Sequence, residues 1–172
     1  MAKKEPSHDG RGRGAHATPR ARSTVLDIVN TPRRMATLWQ MPPRRAVCDA
    51  ASGLGLSIGS FTLCPAARPY PHYVLLAEIE APLDRRRSSR FLRIFDNDLG
   101  VRNVEYRSKR LSRRLGAPEL CLLRPGSYAS LRQRRMAEGA NDAQVKIACL
   151  TRDLDWDKQF QVLERVSCES LM

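Results

Sequence analysis

Arginine is the residue type whose number and placement first suggest chemistry. Of 30 lysines and arginines, 25 are arginine, set against 18 acidic residues, for a formal charge of +12. The surplus is uneven: residues 85–135 hold fifteen cations and four acids, residues 1–45 hold ten and three, and the chain from 136 onward is net negative. A block this dense attracts phosphate-bearing polymers, because each neutralised phosphate releases bound counterions. It is equally what the solvated side of a cationic helix looks like. No zinc-finger spacing and no aromatic strip of the base-stacking kind accompanies it; the chain has four Phe and four Tyr. Binding of RNA or another polyanion by a stand-alone basic module is therefore kept as an alternative function.

Other reactive residue types are sparse. The five cysteines, at 48, 64, 121, 149 and 168, are odd in number, far apart and never spaced as C-x-x-C. They suggest neither a disulfide framework nor a zinc site and suit a reducing cytoplasm. His8, His16 and His72 are scattered, so no metal site and no Cys-His or Ser-His arrangement is expected. Gly53-Leu-Gly-Leu-Ser-Ile-Gly59 has the wrong spacing for a dinucleotide loop and follows no strand.

The elements that would position these residues fit one domain plus tails, as 172 residues allow. No window approaches the ~18 uninterrupted apolar residues of a membrane span, and the Arg-rich first 24 residues have no apolar core of a secretory signal. Residues 1–24 read as a disordered tail, and residues 25–45, broken by Thr31-Pro32 and Pro42-Pro43, show no strong element. From there the pattern predicts a short helix over 46–54, strands over 57–64 and 72–80 paired as a hairpin, and a helix over 84–99 with Asp84 as N-cap. A basic connection (103–115), a strand (119–124) and a helix from an N-cap at Ser127 to Glu138, with Gly139 in the left-handed position, come next. An extended segment over 144–150 and a closing helix from Asp153, with Trp156, Phe160 and Leu163 on one face, complete the chain. The expected class is α+β: a small, mostly antiparallel sheet covered by helices on one face, preceded by a disordered basic N-terminal tail. The division is a tail at 1–45 and a domain at 46–172.

Four stretches together carry a family likeness: Asn103-Val-Glu-Tyr106-Arg107-Ser-Lys-Arg110; Leu115-Gly116-Ala-Pro118; Arg124-Pro125-Gly126-Ser127-Tyr128; and Glu138-Gly139-Ala140-Asn141-Asp-Ala-Gln144-Val-Lys146. Their order and spacing resemble the C-terminal domain of the Gretchen Hagen (auxin-responsive promoter) family of acyl-acid amido synthetases. In that family the corresponding pieces are N-x-x-Y-R-x-x-R, Leu-Gly-Pro, Lys-Pro-Gly-Thr-Phe and Gly-Ala-Ser…Asn-Gln-Tyr-Lys-Thr-Pro-Arg. Pro71-His72-Tyr73-Val74-Leu75-Leu76-Ala77-Glu78 is similar to the family's Gly-His-Tyr-Val strand, and Ala46–Ala51 to the helix before it. The likeness covers roughly residues 46–165.

The resemblance implies an adenylate-forming ligase: a carboxylic acid is joined to ATP, pyrophosphate leaves, and an amino acid's amine attacks the acyl-adenylate to form an amide. It implies a lid that closes on a large ATP-binding domain, with ATP and Mg needed by the complete enzyme and no cofactor held by this chain alone. Lys146 matches the family lysine and is the one residue given a catalytic role, as a mobile ammonium aimed at a phosphate, and only with a partner large domain. Val145 stands where the family has Tyr, and Ile147-Ala148-Cys149 where it has Thr-Pro-Arg. Nothing in residues 1–45 resembles the large domain. The expectation is a truncated or split ligase domain, inactive alone, cytoplasmic and away from membranes: a relic or misread fragment in the first place, or else a lid-like subunit with a separately encoded large ATP-binding domain as its partner.

Overall fold

The computed structural model describes residues 36–67, 69–80, 83–140 and 147–167, with side chains from 43 onward. At its centre is a four-stranded sheet in the order β1 (Ile58–Ala66), β2 (His72–Ile79), β3 (Glu119–Leu123), β4 (Val162–Ser167). β2 pairs antiparallel with β1 and parallel with β3, and β3 pairs antiparallel with β4. The class is α+β with a mostly antiparallel sheet, and the proline-rich segment between β1 and β2 joins the hairpin-like pair that the sequence predicts. A parallel step needs a crossover, which α2 (Arg85–Arg102) and α3 (Val104–Leu111) supply.

The crossover is organised by two capping side chains. The Asp84 carboxylate accepts the Arg87 N–H at 2.7 Å and starts α2. Phe91, Leu92, Phe95 and Leu99 then fall on its buried face at three-and-four spacing. Asn103 closes α2 through its own N–H, which donates to the Leu99 carbonyl at 3.0 Å. Its side chain opens α3 by accepting the Tyr106 N–H, also at 3.0 Å. Residues expected to be a basic connection are therefore a helix. Only Tyr106 is buried within it, so no apolar period announces it.

Among the described residues, three helices cover one face of the sheet. α1 (Ala36–Ser52) runs through Pro42 and Pro43, which were expected to stop a helix. Ala46, Val47, Ala50 and Ala51 of its last turns are buried, and this packing holds the segment helical despite the missing donors. They join Phe91, Phe95 and Tyr106 over Leu63, Leu75, Ala77 and Leu120.

The opposite face is covered as well, beyond the one layer of helices expected. There α4 (Ser127–Ala137) and a single 3-10 turn (Trp156–Gln159) set Tyr128, Leu131 and Trp156 against Cys64, Val74, Leu76, Cys121 and Leu123. β2 and β3 are thus buried on both sides, which is why they read as nearly continuous apolar runs.

Two expectations at the C-terminal end are corrected. No helix starts at Asp153: a 3-10 turn is followed by the edge strand β4. Trp156, Phe160 and Leu163 have helical spacing, but Leu163 is 53% exposed and Val166 enters the core instead. Ser127 is not the cap of α4 either. Its hydroxyl donates to the Arg124 carbonyl at 2.7 Å, Gly126 occupies the cap position with φ +86°, and Glu78 of β2 accepts the Tyr128 N–H at 2.7 Å. A carboxylate at the positive end of the helix is well placed electrostatically. Gly139 ends the same helix with φ +93°, in the predicted left-handed conformation. The expected disordered tail, residues 1–24, lies outside the described residues.

Candidate functional site

The N-x-x-Y-R-x-x-R residues fold around Asp96 of α2. Arg110 grips that carboxylate with both arms, Nε at 3.0 Å and a terminal nitrogen at 2.7 Å, and gives a third hydrogen bond to the Leu115 carbonyl at 3.1 Å. The Tyr106 hydroxyl donates to the same carboxylate. Burial, and then the negative Asp96, push the Tyr106 phenol well above its ordinary value, so it stays protonated and remains a donor. Tyr106 also stacks on Tyr73 with ring centroids 6.2 Å apart. Two separate sequence motifs thus meet at one point. Asn103, Tyr106 and Arg110 are positioning residues, while Arg107 is exposed on the rim of an open groove of about 530 Å³ between α2 and α3.

A second cluster lies where the Leu115-Gly116 turn meets the start of β2. The Gly116 N–H donates to the Pro71 carbonyl at 2.7 Å, and a Cβ on Gly116 would stand 3.4 Å from that oxygen. Beside it, His72 faces the Tyr70 carbonyl through Nδ1 at 2.8 Å and Glu119 through Nε2 at 3.4 Å. Arg165 of β4 bridges Glu119 and Asp157, each at 3.1 Å. Burial works against a charged His72, but the hydrogen bonds to Glu119 and the Tyr70 carbonyl outweigh it and raise its pKa above 6.5. For Glu119, burial is likewise outweighed by His72 and Arg165, and its pKa falls below 4.5.

The signs define a pH window for stability. The contribution of His72 is full below pH 6.5 and is lost as pH rises through its raised folded value. That of Glu119 is full above pH 4.5 and is lost as pH falls through its lowered folded value. Urea titrations should therefore find the protein less stable at pH 8 than at pH 6, and His72→Gln should flatten that difference. An unchanged slope in the variant would show that the pair is not coupled to folding.

Two buried thiols are core residues rather than nucleophiles. Burial pushes Cys121 up to about 12 and Cys64 higher still, and the Cys64 thiol points at the Val74 carbonyl 3.6 Å away. Among the described residues, no three His, Cys, Asp or Glu side chains converge where a metal ion could be held. Nor, among them, is any helix long and apolar enough to cross a membrane.

Lys146 lies outside the described residues, within the stretch 141–146. The segment after it is fastened to the sheet edge. The buried Thr62 hydroxyl donates to the Ala148 carbonyl at 3.1 Å, the Leu63 N–H donates to Cys149 at 2.8 Å, and the Thr151 N–H donates back to Leu63 at 3.0 Å. Leu150 and Leu63 form a parallel bridge.

This order of motifs, the first three of them now placed in the fold, has a counterpart among known families: the sequence profile of the GH3 family C-terminal domain matches residues 44–155. The chain belongs to the GH3 family. Two solved structures share the fold of this GH3 domain. One, a GH3.15 acyl acid amido synthetase, superposes with a TM-score of 0.63 at 19% identity, over 73% of this chain and 24% of that one. The other, AtGH3.15 acyl acid amido synthetase in complex with 2,4-DB, gives 0.62 at 18% identity with the same coverage. The matched GH3 domain thus spans about a quarter of the length of those structures. Among curated proteins, none matches the sequence significantly.

Sequence reasoning about the GH3 domain missed Asp96 and Glu78, the two carboxylates that hold motif residues in place. Neither belongs to the motif it serves. The signal that could have found Asp96 is an acid, with Asp98, on a helix otherwise lined with arginine; Glu78 lies at the end of an apolar strand, where a charge needs a partner.

Proposed function

We propose that this GH3 domain is the lid of an acid–amino-acid ligase, completing an adenylating site whose ATP- and acid-binding groups come from a separately encoded large domain. The observation that carries the reading is the family match over residues 44–155, with the Asn103–Arg110 and Leu115–Pro118 motifs braced at Asp96 and Gly116. In that scaffold Asn103, Tyr106 and Arg110 orient α3, and the clamp of Thr62 on Ala148 fastens the segment after Lys146. Lys146 supplies an ammonium to the phosphate that gains charge as pyrophosphate leaves. Closure of a lid excludes water from an acyl-adenylate that water would hydrolyse. Adenylation needs groups from both halves held in productive geometry, so the polypeptide is inactive alone.

The test is pyrophosphate release dependent on acid and amino acid. The chain alone should release none. Mixed with a GH3 large domain encoded beside it, it should release pyrophosphate, and Lys146→Ala should slow that release about a hundredfold, as loss of one charge-stabilising donor does. Release from the chain alone would sink the split-enzyme reading, and unchanged release from the variant would sink the role of Lys146.

A further inference from the structure

We infer that the outer face of α2 is a phosphate-binding site, built by Arg86, Arg90 and Arg93, which takes the phosphate groups of a polyanion. The three arginines stand at i, i+4 and i+7, so they form one stripe spanning about 10 Å of helix. All three are exposed, and among the described residues nothing hydrogen-bonds or ion-pairs with them. They line an open groove of about 560 Å³ whose floor is Ser89. The Ser89 hydroxyl is buried and lacks a partner among the described residues.

Among the described residues no carboxylate neutralises this stripe. The first turn of α2 contains no acid, and the preceding Asp84 spends its carboxylate on the Arg87 N–H. Asp96 is held by Tyr106 and Arg110, and Asp98 and Asp49 are both held by Arg102. Arg93 also lines the neighbouring groove, where the exposed Arg107 extends the positive strip toward α3. Like charges at helical spacing repel one another, and an anion lying along the groove removes that repulsion. A guanidinium fork matches two phosphate oxygens at once. Among the described residues no aliphatic or aromatic side chain lines this groove, whereas the centre of a protein–protein contact is apolar. The occupant is therefore a chain of phosphates, not an acidic protein surface. It comes from a single-stranded RNA backbone or from free polyphosphate. The inference is independent of the ligase reading, since it invokes neither Lys146 nor a large domain.

Three proteins decide it: the intact chain, the triple variant Arg86→Gln/Arg90→Gln/Arg93→Gln, and a control of equal charge, Arg44→Gln/Arg45→Gln/Arg124→Gln. Fluorescence anisotropy with a labelled single-stranded RNA, at 50 to 200 mM salt, gives the slope of log affinity against log salt. Calorimetry with inorganic tripolyphosphate gives the second arm. The stripe variant should have a slope shallower by about 2, from three contacts at ~0.7 each on a single strand. It should bind at least about tenfold more weakly at 50 mM salt, while the control stays within twofold of the intact chain. Tripolyphosphate should displace the RNA if the backbone is the ligand, and bind when RNA does not if free polyphosphate is. No binding of either probe at 50 mM salt, or equal losses in stripe and control variants, overturns the site. Matching melting curves for the three proteins confirm that each is folded.

Discussion

Tyr128→Ala should destabilise the protein by about 4 kcal/mol, within the ~3–5 kcal/mol range for removing a large buried aromatic side chain. Tyr128 is fully buried and is the first large side chain of α4 to enter the second core. Its ring packs on Phe160 with centroids 4.8 Å apart, Phe160 packs on Trp156 at 6.2 Å, and Arg135 lies over the Trp156 ring at 4.8 Å. One truncation therefore opens a cavity that neither α4 nor the 3-10 turn can fill, because a different segment holds each. The hydroxyl is separable: it donates to the Leu76 carbonyl at 3.2 Å, so Tyr128→Phe should cost only about 1 kcal/mol. Urea denaturation of both variants checks this. A melting temperature should fall by about 10 °C for the alanine variant, at ~2–4 °C per kcal/mol for a chain of this size. A loss of stability below half the expected figure would mean that the second face is not packed as described.

Asp96→Ala is expected to cost about 2 kcal/mol. Removing one member of a buried ion pair costs ~3–5 kcal/mol, but Asp96 and Arg110 retain 22% and 27% side-chain exposure, so water screens part of the loss. The remaining cost has two sources. The Tyr106 hydroxyl, on a residue 2% exposed, is left without its acceptor, and of the three Arg110 bonds that brace the motif only the one to the Leu115 carbonyl survives. A double-mutant cycle with Arg110→Met should return a coupling of about 1 to 2 kcal/mol. A coupling near zero would show that the carboxylate and the guanidinium do not support each other, and would leave the motif without a structural reason.

What the sequence revealed and what it hid can be read from particular residues. Asp84 was legible because its cap precedes an apolar stripe, and β2 because Tyr73, Leu75, Ala77 and Ile79 alternate. Helix α3 was hidden because a segment with one buried side chain has no period, and β4 because Trp156, Phe160 and Leu163 imitate a helical face across a 3-10 turn. The cap of α4 was hidden for a different reason: Glu78 and Tyr128 are 50 residues apart, and pairing at that distance leaves no local trace. Of the site, the motif order pointed to the family, yet it could not tell side chains facing a ligand from those bracing the scaffold. Tyr106 and Arg110 belong to the second kind, since both are committed to Asp96.

Because the four strands lie side by side in the order in which they are synthesised, each can be added to a finished edge as translation proceeds. The last to arrive, β4, still delivers Val166 to the main core opposite Leu120. Without β4, the five-residue apolar strand β3 would present an unpaired edge, the kind of surface that recruits foreign strands. Pairing with β4 is thus what shields that edge in the folded chain.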